Sequence, residues 1–476
     1  MELDCSKIGF KCGIEIHQQL DTKKLFCTCP SIVRDSSPDI KIQRRLRAVA
    51  GETGGVDKAA AYEKSKDKKF IYEACSTSAC LVELDEEPPH SPNEKALKIA
   101  LEISMLLNAN IVDEIQFMRK TVIDGSNVSG FQRTALIARD GYIQTSKGKV
   151  NIPIICLEEE AAKKIDAKKD YTKYRLDRLG IPLIEIGTAP DIRDPEHAKE
   201  VAGKLGMILR STGKVKRGLG TIRQDVNISI KSGARTEIKG FQDLKSIPRV
   251  INYEISRQLS QLKAGKKIRE SVRKAEPDFT NSYLRPMPGA DRMYPETDVK
   301  TIRITKQLLD SIELPELITE KIKKLETHGI GADLAKKVIK QDKQDYFIAV
   351  FNNFEALKPS FIVEAFFSVP NKLSRDFSIP EKDIKHSHIE HVLKLINNAQ
   401  IPKSALENAL ADIVKGEFYI EDYKTASEEK VEKEIIKIVT QKPGLNPGAY
   451  MGIIMARFKG KIDGKKAMQI LKKVLK

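Results

Sequence analysis

The sequence predicts an α+β fold: a large part that mixes strands and helices, then an all-helical part, then a small helical tail. Three observations carry that reading. Short β-like runs alternate with helical stretches over residues 8–300. From residue 298 the chain turns lysine-rich and helical and loses its strand signals. Residues 442–452, KPGLNPGAYMG, set prolines and glycines ahead of a last basic helix. The expected domains are 1–297, 298–412 and 413–476, and a chain of 476 residues is too long for one ordinary core.

The elements follow in order. GIEIHQQL (13–20) alternates as a strand does, with Glu15 and His17 on one face and Ile14 and Ile16 on the other. KALKIALEISMLLNA (95–109) has the apolar spacing of an amphipathic helix. VNIPIICL (150–157), IPLIEIG (181–187), QDVNISI (224–230) and RTEIKGF (235–241) read as strands. The last two flank the turn KSGAR (231–235) and form a hairpin, with Ile230 opposite Thr236, Ser229 opposite Glu237 and Asn227 opposite Lys239. Asp225, Asn227, Ser229, Glu237 and Lys239 then share one face; Val226, Ile228, Ile230 and Ile238 share the other. ITKQLLDSIELPELITEKIKKLETHGI (304–330) opens the helical part, PNKLSRDFSIPEKDI (370–384) breaks it with two prolines, and DGKKAMQILKKVLK (463–476) closes the chain. No fixed-period repeat or low-complexity tract interrupts this plan.

Composition narrows the function classes. A hydrophobic content of 41% and a charged content of 31% are those of a soluble globular protein, and no apolar run is long enough to span a bilayer. The opening MELDCSKIGFKCG lacks the apolar segment of a secretory signal. Seven cysteines, an odd number, suit a reducing cytoplasm better than a disulfide framework. Lys plus Arg (82) exceeds Asp plus Glu (66), a net charge of +16 that favours a polyanion such as nucleic acid as partner.

Four acidic segments share one design. Glu15 sits with His17; CLEEEAAKKI carries Glu158, Glu159 and Glu160; Glu185 lies between Ile184 and Ile186; the hairpin carries Asp225 and Glu237. A carboxylate within an apolar strand is costly to bury unless a cation or hydrogen bonds compensate it. Carboxylates suit Mg²⁺, and a His-Glu-Glu set suits Mn²⁺ or Zn²⁺ as well. Two neighbouring cations would clamp a nucleotide and neutralise a transferring phosphoryl group. Taken singly, the three consecutive glutamates also suit a helix N-terminus.

Cys27, Cys29, Cys75 and Cys80 supply four thiols in two close pairs, enough for a structural zinc site. GETGG (51–55) and RGLG (217–220) match neither a P-loop nor a dinucleotide fingerprint and read as loops near substrate. No Gly-x-Ser-x-Gly nucleophile motif is present.

GIEIHQQL, KLFCTCP, YEACSTSACLVELDEEPP, RKTVIDGSNVSGFQRT, LEEEAAKKI, RLGIPLIEIGTAPDI, RQDVNISI, TEIKGF and RPMPGADRMYPETD occur in that order. Together they resemble the B/E subunit family of tRNA-dependent amidotransferases, over essentially the whole chain. EIHQQL, DEEPP, RKTVIDGSNVSGFQRT and RPMPGADRMYPETD look like the archaeal E type, found in glutamyl-tRNA(Gln) amidotransferases. The resemblance implies a glutamine-synthetase-like catalytic cradle built on an antiparallel sheet. It implies a cytoplasmic ligase that uses ATP and Mg²⁺ to phosphorylate the γ-carboxylate of Glu on tRNA(Gln). Ammonia from an asparaginase-like D-type partner then displaces the phosphate. It also implies site residues: His17, Glu159 and Glu185 at a tightly held metal, and Glu15, Glu158, Asp225 and Glu237 at an ATP-associated Mg²⁺. Arg223 and Lys239 become candidates for the phosphates of ATP or of the acyl phosphate, and the basic tail for the outer part of tRNA.

The chain departs from the E type at one place. LSQLKAGKKIRESVRKAEPDFTN (259–281) is too short for the aspartyl-tRNA-synthetase-like insertion usual between the hairpin region and RPMPGADRMYPETD. Two competing readings stand beside the first. One is a B-type protein working with an amidase-type A partner on Glu-tRNA(Gln) or Asp-tRNA(Asn). The other is a non-catalytic tRNA-binding scaffold, which loss of a metal acid would have favoured.

Overall fold

The computed structural model describes residues 4–50, 54–241, 243–287, 293–341, 343–424, 428–458, 462 and 464–475. The chain divides into two compact units, Met1–Leu317 and Ile318–Lys476. The fold is α+β: strands concentrate in the first unit, and the second is helical among its described residues.

An eleven-stranded sheet organises the first unit. Its labelled strands are β1 (Lys11–Gln19), β2 (Phe117–Thr121), β3 (Phe131–Thr145), β4 (Gly148–Glu159), β5 (Pro182–Gly187), β6 (Ile222–Ser229), β7 (Thr236–Phe241), β8 (Ser271–Ala275), β9 (Asn281–Pro286) and β10 (Met293–Pro295). Their order is β9-β8-β7-β6-β1-β5-β4-β3-β2-β10, with the short strand Asn110–Ile111 beside β3. The pairing is antiparallel throughout except between β7 and β8, which run parallel. A parallel pair needs a crossover, and helix α3 (Ser246–Lys263) supplies it. The sheet is antiparallel, as the resemblance implies, apart from that one pair.

Each strand buries one face. Ile14 and Ile16 of β1, Ile184 and Ile186 of β5, Val226 and Ile228 of β6 and Ile238 of β7 enter one core. Helices α1 (Glu94–Leu106), α2 (Pro195–Ser211) and α3 cover it with Ile99, Ile103, Val201, Leu205, Val250 and Ile251. Each such side chain contributes roughly 1.5–3 kcal/mol by leaving water. Asn93 caps α1 through the Ala96 amide at 3.1 Å, and Asp194 caps α2 through the His197 amide at 2.9 Å. The helices take the apolar face, so the opposite face of the same strands stays open; there Glu15, His17, Glu185, Asp225 and Glu237 emerge.

The hairpin is registered two residues from the expected pairing: Asn227 lies opposite Glu237 and Ile228 opposite Thr236. The turn is longer than expected because the Gln258 side chain of α3 pins it, accepting from the Ala234 amide (3.1 Å) and donating to the Ala234 carbonyl (3.0 Å). A slip of two preserves faces where a slip of one would invert them.

A smaller sheet, Ile40–Arg44, Lys69–Ala74, Tyr171–Arg175 and Lys163–Ala167 in spatial order, has its own core around Tyr72 and Tyr174. Residues following 298 still pack on the main core, through Val299, Ile302, Ile304, Leu308 and Leu309.

The second unit holds two hydrophobic cores, one built from residues between Leu325 and Tyr423, the other from residues between Val431 and Leu471. The helix Pro359–Phe367 ends at Ser368, and Pro370 sits in the first turn of the next helix, Val369–Phe377, where its missing N–H costs nothing. A second break follows where Ser378 takes a φ of 55° ahead of Ile379 and Pro380. No helix among the described residues is long and apolar enough to cross a membrane.

Candidate metal centre

The open face of the sheet carries a cleft of about 440 Å³ lined by Glu15, His17, Lys120, Glu158, Glu160, Glu185, Arg223, Asp225, Glu237 and Lys239, among others. Strand register explains the gathering. Central β1 brings Glu15 opposite Asp225 of β6, and His17 opposite Glu185 of β5 and Arg223 of β6. Glu158 of β4 lies opposite Thr134 of β3, and Glu237 of β7 opposite Asn227.

Two ligand groups result. One ligand atom from each of His17, Glu158 and Glu185 lies within 4.8 Å of the other two, and the same holds for Glu15, Asp225 and Glu237. Lys120 joins the first group, its ammonium 2.9 Å from Glu158 and 3.5 Å from Glu185. Lys239 joins the second, bonding Asp225 at 2.7 Å and pairing with Glu237. Asn227 donates to Glu15 at 2.9 Å, Thr134 to Glu158 at 3.0 Å, and the Gly240 amide to Asp225 at 3.3 Å.

Electrostatics sort these acids. Burial pushes Glu158 above the ordinary glutamate range despite Lys120, and pushes Glu15 up despite Lys239. Burial works the same way on Glu185, but Lys120 and His17 outweigh it and hold that carboxyl well below the usual range. Asp225 is lowered too, Lys239 and His17 overcoming burial. Lys239 is raised: burial opposes its charge, but Asp225, Glu237 and Glu15 hold its proton. Five carboxylates thus face two ammonium groups. The unmatched negative charge, the hard oxygen donors and the imidazole fit divalent cations.

Residues 10–310 match the family of the GatB/GatE catalytic domain. The chain belongs to this family. Its relatives include the E subunit of the glutamyl-tRNA(Gln) amidotransferase of Methanocaldococcus jannaschii, 38% identical over 633 positions with both chains covered in full. That of Methanococcus maripaludis strain C7 is 36% identical over 628 positions, covering 100% of this chain and 99% of the relative. That of Archaeoglobus fulgidus is 36% identical over 618 positions, with the same coverage. Alignments of that length exceed the 476 residues of this chain, so these GatB/GatE relatives carry sequence that it lacks.

Within the family frame, the structure regroups two expected ligand sets. Glu159 does not join His17 and Glu185; Glu158 does. β4 runs on to Glu159, so successive glutamates alternate in side. Glu159 points to the helix-covered face, accepting from the Arg133 amide at 2.9 Å with the Arg133 guanidinium at 3.5 Å. Glu160 returns to the open side, taking Arg223 at 2.6 Å and Gln19 at 3.3 Å. Arg223 therefore reaches the cleft already paired, and Lys239 is paired with two acids.

Cys75 does not join the other thiols. Cys27, Cys29 and Cys80 converge with Glu83, one ligand atom from each lying within 4.8 Å of the rest. The Cys27 thiol donates to Glu83 at 3.0 Å, and the Cys80 amide to Glu83 at 2.8 Å. Cys75 directly follows a strand of the small sheet, and Arg175 donates to it at 3.2 Å. Sequence reasoning missed Lys120, Glu83 and Arg235 as site residues, and gave Glu160 and Asn227 a place in the polar set but no separate role. Glu83 was within reach, since Cys80-x₂-Glu83 has ligand spacing. RGLG places Gly218 and Gly220 at positive φ just ahead of β6, the strand that carries Arg223. Residues 51–53 of GETGG and 288–292 of RPMPGADRMYPETD lie outside the described residues.

Proposed function

We propose that the chain is the kinase and transamidase component of a tRNA-dependent amidotransferase, converting Glu-tRNA(Gln) to Gln-tRNA(Gln). The observation that carries this reading is the pair of adjoining carboxylate groups in one cleft, with more negative charge than their lysines match. The names of the relatives supply the substrate.

Divalent cations bound by the two groups would draw charge from the ATP phosphates and leave the γ-phosphorus open to attack. A γ-carboxylate oxygen of the tRNA-borne Glu attacks that phosphorus, the bond to the β-phosphate oxygen breaks, and ADP leaves. Ammonia then attacks the acyl carbon; phosphate leaves, a proton is lost and the amide remains. His17, Glu158 and Glu185 would hold one cation, and Glu15, Asp225 and Glu237 the other. Lys239, Arg223 and Lys120 bring fixed positive charge to the same cleft, for phosphate oxygens. No covalent enzyme intermediate is required. Ammonia comes from an asparaginase-like D-type partner in the cytoplasm, Cys27, Cys29, Cys80 and Glu83 would hold a structural zinc ion, and the basic tail, 413–476, holds tRNA.

The test is to incubate the purified chain with Mg²⁺-ATP and Glu-tRNA(Gln), with and without ammonium, following ADP and the tRNA-bound amino acid. ADP release that needs charged tRNA, with Gln formed only when ammonium is present, supports the reading. Binding of tRNA with neither ADP nor Gln, even with a D-type partner added, refutes it in favour of a scaffold.

A further inference from the structure

The open face of the sheet carries a second cavity, about 430 Å³, lined by Gly13, Pro153, Ile154, Gly187, Thr188 and Pro190, among others. It is apolar where the carboxylate cleft is charged. Glycines make the room: Gly187 lies opposite Glu15 and Gly13 opposite Asn227, so neither position fills the floor with a side chain. Three residues line both cavities, namely Glu15, Glu185 and Arg235. Arg235 is the only cation of the three.

Arg235 stands exposed just before β7. Its Nε donates to Asn227 Oδ1 at 3.0 Å, and Asn227 Nδ2 donates to Glu15 Oε1 at 2.9 Å. Among the described residues, its terminal Nη1 and Nη2 groups make no hydrogen bond or ion pair. A guanidinium is planar, so one edge can be spent on orientation while the terminal fork stays in register for an anion. The Asn227 amide has its oxygen committed to Arg235 and its nitrogen to Glu15, so turning one end turns the other.

We infer that Arg235 binds a phosphate oxygen of a ligand lying across the two cavities, and that Asn227 transmits this contact to the orientation of Glu15. Arg235 reads the anion; Asn227 is a positioning residue. The inference rests on the proposed ATP-dependent reaction and extends it: nucleotide and the cation held by Glu15, Asp225 and Glu237 become coupled through the protein as well as by direct contact.

Two variants separate the roles, read by calorimetric titration of a non-hydrolysable ATP analogue and of Mn²⁺, and by steady-state kinetics. In Arg235→Gln, analogue affinity falls about tenfold and the KM for ATP rises, and Arg235→Lys does not restore them, because an ammonium is a point donor without the planar fork that grips phosphate oxygens. In Asn227→Ala, affinity for the analogue in EDTA stays within about twofold, while Mn²⁺ binds several-fold more weakly and kcat falls. An Arg235→Gln protein with the wild-type melting temperature and unchanged analogue affinity overturns the proposal. So does full rescue by lysine, or equal loss of analogue affinity in EDTA from both variants. Wild-type protein that neither binds the analogue nor releases ADP would instead overturn the proposed reaction itself.

Discussion

Glu158 and Glu159 are neighbours in sequence and opposites in surroundings. On the open side, Glu158 meets Lys120, Glu185 and His17 in a cleft where carboxylates outnumber cations. On the covered side, Glu159 meets Arg133, which also donates to Glu296 at 2.7 Å. Glu296 is fully buried and takes Arg119 at 2.6 Å and the Asp298 amide at 2.9 Å. Both guanidiniums lie over the Phe131 ring, at 4.7 and 5.1 Å. Every carboxylate named on the covered side therefore has a guanidinium partner, Arg119 taking Asp298 as well at 2.9 Å, whereas the open side holds a surplus of carboxylates over its lysines. Matched charge holds strands together; unmatched charge waits for a ligand. Arg119 and Lys120, adjacent on β2, divide between the two sides in the same way.

The largest effect should come from breaking the matched side. Glu296→Ala leaves two arginines without their shared carboxylate and should cost about 3–5 kcal/mol in denaturant unfolding of the whole chain. An equal loss from a substitution in the open cleft would erase the distinction.

Next comes the converse. Glu15→Gln should lower tRNA-dependent ADP release by roughly 10²–10³-fold, about 3–4 kcal/mol in the barrier, while unfolding free energy moves by less than about 1 kcal/mol, because burial already raises its carboxyl. A stability loss as large as that of Glu296→Ala would make Glu15 a structural acid. A third effect sharpens the unmatched side. Mg²⁺ or Mn²⁺ at about a hundred times its dissociation constant should stabilise the wild-type chain by about 2.7 kcal/mol, seen as a rise in melting temperature. The rise should shrink in Glu15→Gln and persist in Glu159→Gln.

The sides of this sheet were legible because strands alternate. Ile14, Ile16, Val226, Ile228 and Ile238 mark the covered side, so Glu15, His17, Asp225 and Glu237 had to share the other. A hairpin register two residues off left that conclusion untouched. The parity of Glu158 was harder. CLEEEAAKKI also reads as a helix start, and only its continuation as β4 through Glu159 decides which glutamate faces His17. Cys75 and Glu83 could not be told apart by spacing to Cys27, and the short step from Cys80 to Glu83 was the one local signal that favoured Glu83. Lys120 and Arg235 act through long side chains whose reach depends on neighbouring strands, and no local pattern encodes that. Pro370 was legible as punctuation: one helix ends at Ser368 and Pro370 opens the next.

The smallest effect has opposite signs for Glu158 and Glu296. Burial raises the Glu158 carboxyl above the ordinary glutamate value of 4.5, with Lys120 only partly opposing it. A group whose folded pKa is raised adds stability below its unfolded pKa and loses it as pH climbs through the folded value. In EDTA, Glu158→Gln should therefore be more stable than wild type at pH 8, by about 1 kcal/mol, with the gain fading as pH falls towards 4.5. Glu296 behaves oppositely. Burial opposes its ionisation, but Arg119, the Asp298 amide and Arg133 pull its carboxyl below 4.5. Its contribution is present above 4.5 and is lost as pH falls through the folded value, so the penalty of Glu296→Gln should be full at pH 8 and shrink in acid. Unfolding curves for both variants from pH 8 down to pH 4 test this. Two difference curves of the same sign would mean that Glu158, like Glu296, is fully compensated by its own partners, and that its burial calls for no cation.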